Sequence, residues 1–209
     1  MSYRNTSIFT ILVSFSMLSG CFGTSEGATA ETPLRQNGIE SSFDEGAVMR
    51  AAHAILVGKQ AEKNADANAL RIAAETLEGV GAKPEKDQRD DLSRRWSEQA
   101  KLIDPSITLP VYRGRALGPS YYKGVLSPVS STSTSQIFLA GKKASVALVP
   151  VSNKPMSINI YDGRGKNICT RSTELKPANC QWLPLYTERY RIDINTSANQ
   201  SVTYYLVSN

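Results

Sequence analysis

The clearest candidate for covalent chemistry is a serine and a lysine at S-x-x-K spacing, in Ser120-Tyr-Tyr-Lys123. That chemistry requires the serine at the start of a buried helix, because the lysine must lie one turn later to take its proton. Here Gly118-Pro119 precedes the serine and a strand pattern follows it, so the geometry is wrong. Ser157-Ile-Asn159 supplies an S-x-N, but no Lys-Thr-Gly follows. We therefore predict no nucleophilic serine.

The chain contains one histidine, His53, which limits the metal sites and catalytic triads that it could build. His-Glu-x-x-His and three-histidine zinc sites need more than one. A Ser-His-Asp triad would have to use His53, and no G-x-S-x-G motif supplies the serine. His53 lies in the segment MRAAHAILVGK, at the margin of an apolar helical face, which favours a packing role. The sequence therefore predicts no catalytic residue, no metal site and no cofactor.

The segment DGRGKN, residues 162–167, resembles a calcium loop in its Asp, Gly and Asn. Arg164 and Lys166 stand where Ca²⁺ requires oxygen ligands, so a hairpin turn explains the glycines better. Glycoside cleavage would need two carboxylates about 5 Å or about 6.5–9.5 Å apart in one cleft. Its candidates are Asp162, Glu174, Glu188 and Asp193. They leave open an alternative function as a hydrolase, or hydrolase accessory, acting on peptidoglycan or polysaccharide.

The N-terminus has the pattern of an export signal. Arg4 is followed by the apolar stretch IFTILVSFSML and then by Leu18-Ser19-Gly20-Cys21. The stretch is too short for a spanning helix, which needs roughly 20 apolar residues. LSGC resembles the lipobox of bacterial lipoproteins, which implies cleavage of residues 1–20 and lipid on Cys21. Phe22 follows where an Asp would mark retention in the inner membrane, which favours the outer membrane, facing the periplasm.

With Cys21 assigned to lipid, two cysteines remain, Cys169 and Cys180. A pair eleven positions apart in an exported chain indicates one disulfide. Closing so short a loop stabilises a fold by roughly 2–3 kcal/mol in the chain-entropy model. A free catalytic thiol is the alternative, but a cysteine nucleophile normally needs a base and His53 lies in a different kind of segment.

The chain divides into four parts. Residues 1–20 are the predicted signal peptide, and residues 21–43 are polar and typical of a flexible tether. Residues 44–105 are rich in helix-forming residues with apolar positions at three-four spacing, which predicts three helices: about 44–62, one after Asp66, and one after Pro84. Residues 110–209 hold short runs that alternate at period two, which predicts an antiparallel β-sandwich or jelly roll. The predicted strands are 122–126, 136–139, 144–149, 157–161, 189–194 and 202–207, with short pairing near Ile168 and Trp182.

The strand region resembles a known family. The order GKKASVALVP, MSINIYDGRGKNIC, CQW and ERYRIDINTSANQSVTYYLVSN is similar to the bacterial pre-peptidase C-terminal domain. The matching positions are Asp162, Gly163, Tyr190, Ile192, Ile194, Asn195, Tyr204 and Leu206. The resemblance covers residues 118–209 and implies a jelly-roll-like accessory module of secreted hydrolases, without catalytic residues.

Charge is unevenly distributed along the chain. Residues 41–105 carry a net charge of −2, whereas residues 110–209 carry +8. A basic distal half favours anionic envelope surfaces such as lipopolysaccharide or peptidoglycan, and the predicted compartment excludes nucleic acid. A soluble domain that is merely basic explains the charge equally well. The candidate binding residues are Lys142, Lys143, Arg164, Lys166, Arg189 and Arg191.

Together these features predict an α+β envelope lipoprotein. It would consist of a lipid anchor, a tether, a small Ala-rich helical domain and a disulfide-bearing β-sandwich that binds or scaffolds without catalysis. Its expected partners are the membrane, through lipid on Cys21, and an envelope polymer or another envelope protein. An oligomeric component of a secretion apparatus is a further option.

We expect Cys21→Ala to abolish metabolic labelling with palmitate and to move the protein from the membrane to the soluble fraction, because the thiol is the predicted acyl acceptor. Fractionation and labelling of cells that produce either form measure this. Unchanged membrane retention would contradict the anchor.

Overall fold

The computed structural model describes residues 46–109, 117–174 and 176–209. The predicted signal peptide and tether, including Cys21, lie outside the described residues. All described residues fall within one compact unit, Glu40–Asn209. Within this part of the chain, no helix combines the length and the apolar character that crossing a bilayer requires.

The described residues form three helices and nine strands, so the predicted α+β class is confirmed. The helices are α1 (Ala47–Asn64), α2 (Ala67–Val80) and α3 (Leu92–Ile103). The strands are β1 (Lys83–Pro84), β2 (Ser120–Leu126), β3 (Ser131–Phe138), β4 (Ala144–Pro150), β5 (Met156–Tyr161), β6 (Asn167–Thr173), β7 (Ala178–Trp182), β8 (Glu188–Thr196) and β9 (Val202–Ser208).

Acidic side chains determine where α2 and α3 begin. An Asp66 side-chain oxygen accepts a hydrogen bond from the Ala69 amide at 2.9 Å. Asp91 caps α3 in the same way through the Ser93 and Arg94 amides. A cap satisfies amides that have no partner inside the helix. The predicted start of the third helix after Pro84 is therefore wrong, because Pro84 pairs with β2 and the helix begins only after Asp91.

One tryptophan holds α3 against α1. The Trp96 side chain is fully buried, and a Cβ atom placed on Gly58 would lie 2.3 Å from its ring. Trp96 Nε1 donates to Glu62 Oε1 at 2.6 Å, and Arg95 Nη2 lies 2.7 Å from the same oxygen. Burial alone would raise the pKa of Glu62, but hydrogen bonds from Lys59 and Trp96 and the charge of Arg95 hold it below its ordinary value. The carboxylate therefore stays ionised within this cluster.

The strands form two sheets that face each other. Sheet A has the order β1-β2-β9-β4-β7 and sheet B the order β3-β8-β5-β6. Every pair is antiparallel except β1 with β2. Apolar side chains of both sheets, such as Val146 and Leu206 from sheet A and Ile158 and Ile192 from sheet B, share one core. The arrangement is a β-sandwich, as the alternating pattern predicted.

The helices form a third layer on the outer face of sheet A. Side chains that point away from the sandwich core, among them Ala147, Val149, Tyr205 and Val207, belong to the same apolar cluster as the helices. Every residue of β4 is buried as a result. The helical segment and the sandwich are thus packed on each other over a shared core, and none of the three described helices covers the outer face of sheet B.

The predicted disulfide is confirmed. Cys169 on β6 and Cys180 on β7 are bonded, with their Cα atoms 5.9 Å apart. Because β6 is an edge strand of sheet B and β7 an edge strand of sheet A, the bond joins the two sheets at one side of the sandwich. Trp182 packs half-buried against the sandwich core two residues further on.

Two helical glycines should respond to alanine in opposite ways. Gly58→Ala should lower the free energy of unfolding by about 1–3 kcal/mol, because Trp96 would have to move. Gly79→Ala in α2 meets open space and should raise it by up to about 1 kcal/mol through helix propensity. Urea unfolding of the two variants measures the difference. Equal effects would contradict the Gly58–Trp96 contact.

Candidate binding site

Three connections meet at one end of the sandwich. They are residues 139–143 between β3 and β4, residues 162–166 between β5 and β6, and residues 183–187 between β7 and β8. The Gly141 amide donates to the Pro184 carbonyl at 2.9 Å, and the Ala140 amide donates to Thr187 Oγ1 at 3.0 Å. A Cβ atom on Gly163 would lie 2.6 Å from Glu188 Oε2, at the start of β8. We call these three connections the loop end.

The β5–β6 connection is a tight hairpin turn built around Asp162. Its Oδ1 accepts hydrogen bonds from the Arg164 amide at 3.0 Å and the Lys166 amide at 2.8 Å. Gly165 takes the left-handed conformation, with φ of 81°, and donates its amide to the Asp162 carbonyl at 3.0 Å. The Asp162 carboxylate therefore shapes the turn, and the cationic side chains of Arg164 and Lys166 are exposed.

The loop end exposes large apolar side chains. Leu183 is 61% exposed, Leu185 80% and Tyr186 66%, and Leu139 on the neighbouring connection is 57% exposed. Pro184, between the two leucines, is buried. The exposure of the leucines was not predicted from the sequence, although the string WLPLY combines apolar residues with a proline, which favours a loop rather than a strand.

A cleft of about 550 Å³ lies between the second and third connections. Trp182, Leu183, Leu185 and Tyr186 provide apolar surface. Arg164 and Lys166 provide positive charge, and Asp162 and Glu188 provide carboxylates. The Trp182 ring centroid lies 4.8 Å from that of Phe138 and 5.1 Å from that of Tyr190, so it is held by ring packing. Such a cleft suits an amphiphilic group that combines an apolar part with polar or charged groups.

A second, shallower cleft of about 710 Å³ lies on the outer face of sheet B beside the same turn. Ser133, Ser135, Arg189 and Arg191 line it together with the turn glycines. Arg191 stacks on the Tyr161 ring, 4.4 Å from its centroid, and Arg189 Nη1 donates to Ser135 Oγ at 3.2 Å. This face is polar and is largely hydrogen-bonded to itself.

The six predicted binding residues are all exposed and lie on these elements. Lys142 and Lys143 lie in the first connection, and Arg164 and Lys166 in the second. Arg189 and Arg191 lie on the outer face of sheet B in the first half of β8. Their role in binding remains a prediction.

Two of the four carboxylates considered for glycoside cleavage, Asp162 and Glu188, line the same cleft of about 550 Å³, whereas the other chemical candidates are dispersed. Ser120 and Lys123 lie on strand β2 rather than one turn apart on a helix. Asp193 accepts from Ser133 Oγ at 2.7 Å on sheet B, whereas Glu174 lines a different cleft beside α1. His53 is half-buried in α1. Within residues 46–109, 117–174 and 176–209, no three His, Cys, Asp or Glu side chains come together as metal ligands could.

Comparisons with known proteins give only distant likenesses. No family model matches the chain, and no curated protein does. A periplasmic inhibitor of g-type lysozyme from Aeromonas hydrophila aligns at 16% identity over 48% of this chain and 92% of its own, with a TM-score of 0.37. The pre-peptidase C-terminal domain of a Bacillus anthracis collagenase aligns at 11% identity over 43% of this chain and 87% of its own, also at 0.37. A carbohydrate-binding module, solved with calcium and xylotriose, aligns at 14% identity over 42% of this chain and 88% of its own, at 0.28. These scores are too low to support an inference about function.

Proposed function

We propose that this protein is an envelope lipoprotein, acylated on Cys21, whose β-sandwich binds a partner at the periplasmic face of the outer membrane without catalysing a reaction. The loop end is the proposed contact surface. The observation that carries the proposal is the concentration of exposed Leu and Tyr side chains and of Lys and Arg side chains on three connections at one end of the sandwich.

The exposed apolar side chains of the loop end support binding, because moving them out of water lowers the free energy. Burying a Leu side chain fully is worth about 1.5–3 kcal/mol. Single exposed leucines are normal on protein surfaces, but contiguous exposed apolar groups mark interaction sites. Leu183, Leu185 and Tyr186 lie within four consecutive residues and line one cleft.

The charged part indicates an anionic partner. Lys142, Lys143, Arg164 and Lys166 are exposed on two of the connections. Against these four cations the three connections hold one acidic residue, Asp162, and Glu188 follows at the start of β8. The loop end therefore presents a net positive surface, which attracts acidic groups and weakens with salt.

The proposal can be tested with a photo-crosslinking amino acid placed at Leu185 in cells. We expect an adduct with a protein, glycan or lipid, because residue 185 would lie in the contact. The matched control is Leu102 on α3, which is 83% exposed but lies in the helical layer. No adduct at position 185 beyond that at position 102 would contradict the proposed surface.

Absence of catalysis is tested separately with isolated peptidoglycan. Purified residues 22–209 should release no soluble fragments from it, and any binding should fall as salt is raised. Co-sedimentation across a salt series, with analysis of the supernatant, measures both. Release of fragments would instead place the protein among hydrolases.

A further inference from the structure

We infer that the loop end docks on the surface of an anionic phospholipid bilayer. Leu183, Leu185 and Tyr186 would enter the interfacial region, and the surrounding cations would contact lipid phosphates. This inference rests on the proposed function, since it names the partner of the same surface.

The apolar side chains are held out by a fixed loop. Pro184 is buried, and its carbonyl accepts the Gly141 amide at 2.9 Å. Thr187 Oγ1 accepts the Ala140 amide at 3.0 Å. The 183–187 connection is thus hydrogen-bonded to the 139–143 connection, while Leu183 and Leu185 on either side of the proline remain exposed. A loop that is ordered in advance loses little conformational entropy on binding.

The residue types match the layers of a membrane interface. Leucine side chains partition into the acyl region, whereas tyrosine combines an apolar ring with a hydroxyl and concentrates where acyl chains meet headgroups. Leu185 and Tyr186, at 80% and 66% exposure, place these two types side by side.

Cationic side chains lie beside the exposed apolar ones. Arg164 and Lys166 line the same cleft as Leu185 and Tyr186, and Lys142 and Lys143 are exposed on the adjoining connection. Long Lys and Arg stems can lie along apolar surface while their charged ends reach the headgroups. Each cation near an anionic leaflet adds to the attraction, which falls off within a Debye length.

The mixture of groups favours a bilayer over a folded protein as the partner. The buried centre of a protein interface is depleted in charged residues. Here Arg164, Lys166, Asp162 and Glu188 line one cleft together with Leu183 and Leu185, so a rigid apolar partner would have to bury charged groups of both signs. A fluid interface accepts both kinds of group at once, each at its own depth. The proposed acyl anchor on Cys21 would also keep a bilayer at high effective concentration.

The test measures binding of the mature chain carrying C21S, which has no acyl anchor, to sedimentable vesicles. One set contains phosphatidylglycerol and phosphatidylcholine in equal parts, and the other contains phosphatidylcholine alone. We expect binding to the first set only, decreasing with salt. L185S should lower the partition coefficient roughly 10-fold, since most of a Leu burial is lost. R164S/K166S should lower it roughly 30-fold at low salt, given the usual contribution of each cation.

Matched controls test whether the effects are specific to the loop end, because they remove the same residue types from elsewhere on the surface. L102S removes an equally exposed leucine from α3, and K86S/K101S removes two exposed lysines, one from the connection before α3 and one from α3 itself. Both should bind vesicles like the parent chain. The Trp182 ring lines the cleft while Trp96 is fully buried, so a blue shift of tryptophan emission on binding should vanish in W182F.

Absence of binding, equal binding to both vesicle sets, or full binding by L185S would each overturn the inference. If vesicles do not bind while residue 185 still crosslinks to a protein or glycan in cells, the proposed function stands and the bilayer is not the partner. If neither vesicles nor crosslinks are found, both proposals fall.

Discussion

The fold depends on the fact that sheet A is apolar on both faces. In β4, Val146 and Leu148 face the sandwich core while Ala147 and Val149 face the helices, and none of the four can remain in water without cost. The helices are therefore required as a cover, and their own apolar faces are covered in return. Among the described residues, the outer face of sheet B and the loop end are parts of the sandwich that the three helices leave uncovered.

The bounds of elements with a clear apolar periodicity could be predicted closely from the sequence. The predicted strand 157–161 is found as Met156–Tyr161, because Ile158 and Ile160 alternate with polar residues. Strand β3 was predicted only over 136–139 but spans Ser131–Phe138. Its first half, STSTS, has no apolar alternation, and its strand structure comes from pairing with β8, as between Thr134 and Ile192. Non-local pairing of this kind leaves little trace in a single sequence.

Only the charged residues of the candidate site could be predicted, because the rest of the site also depends on non-local contacts. Its cations could be named because net charge is visible in the sequence, and Asp162 was correctly assigned to a turn. The apolar side chains Leu183 and Leu185 could not be told from core residues, since exposure depends on which loops meet. Residues near positions 140, 163 and 185 come together only through the order of strands in two sheets. Composition carries no information about that order.

The disulfide between Cys169 and Cys180 also affects the stage at which folding of the chain is completed. Ile168, next to one cysteine, and Trp182, near the other, both line the cleft at the loop end. Disulfides persist in oxidising compartments and are rare in the cytosol. A newly made chain in a reducing compartment would carry two thiols at this side of the sandwich, with its two edge strands not yet joined. If the chain is exported as proposed, this side of the sandwich, beside the cleft, would be closed only after export.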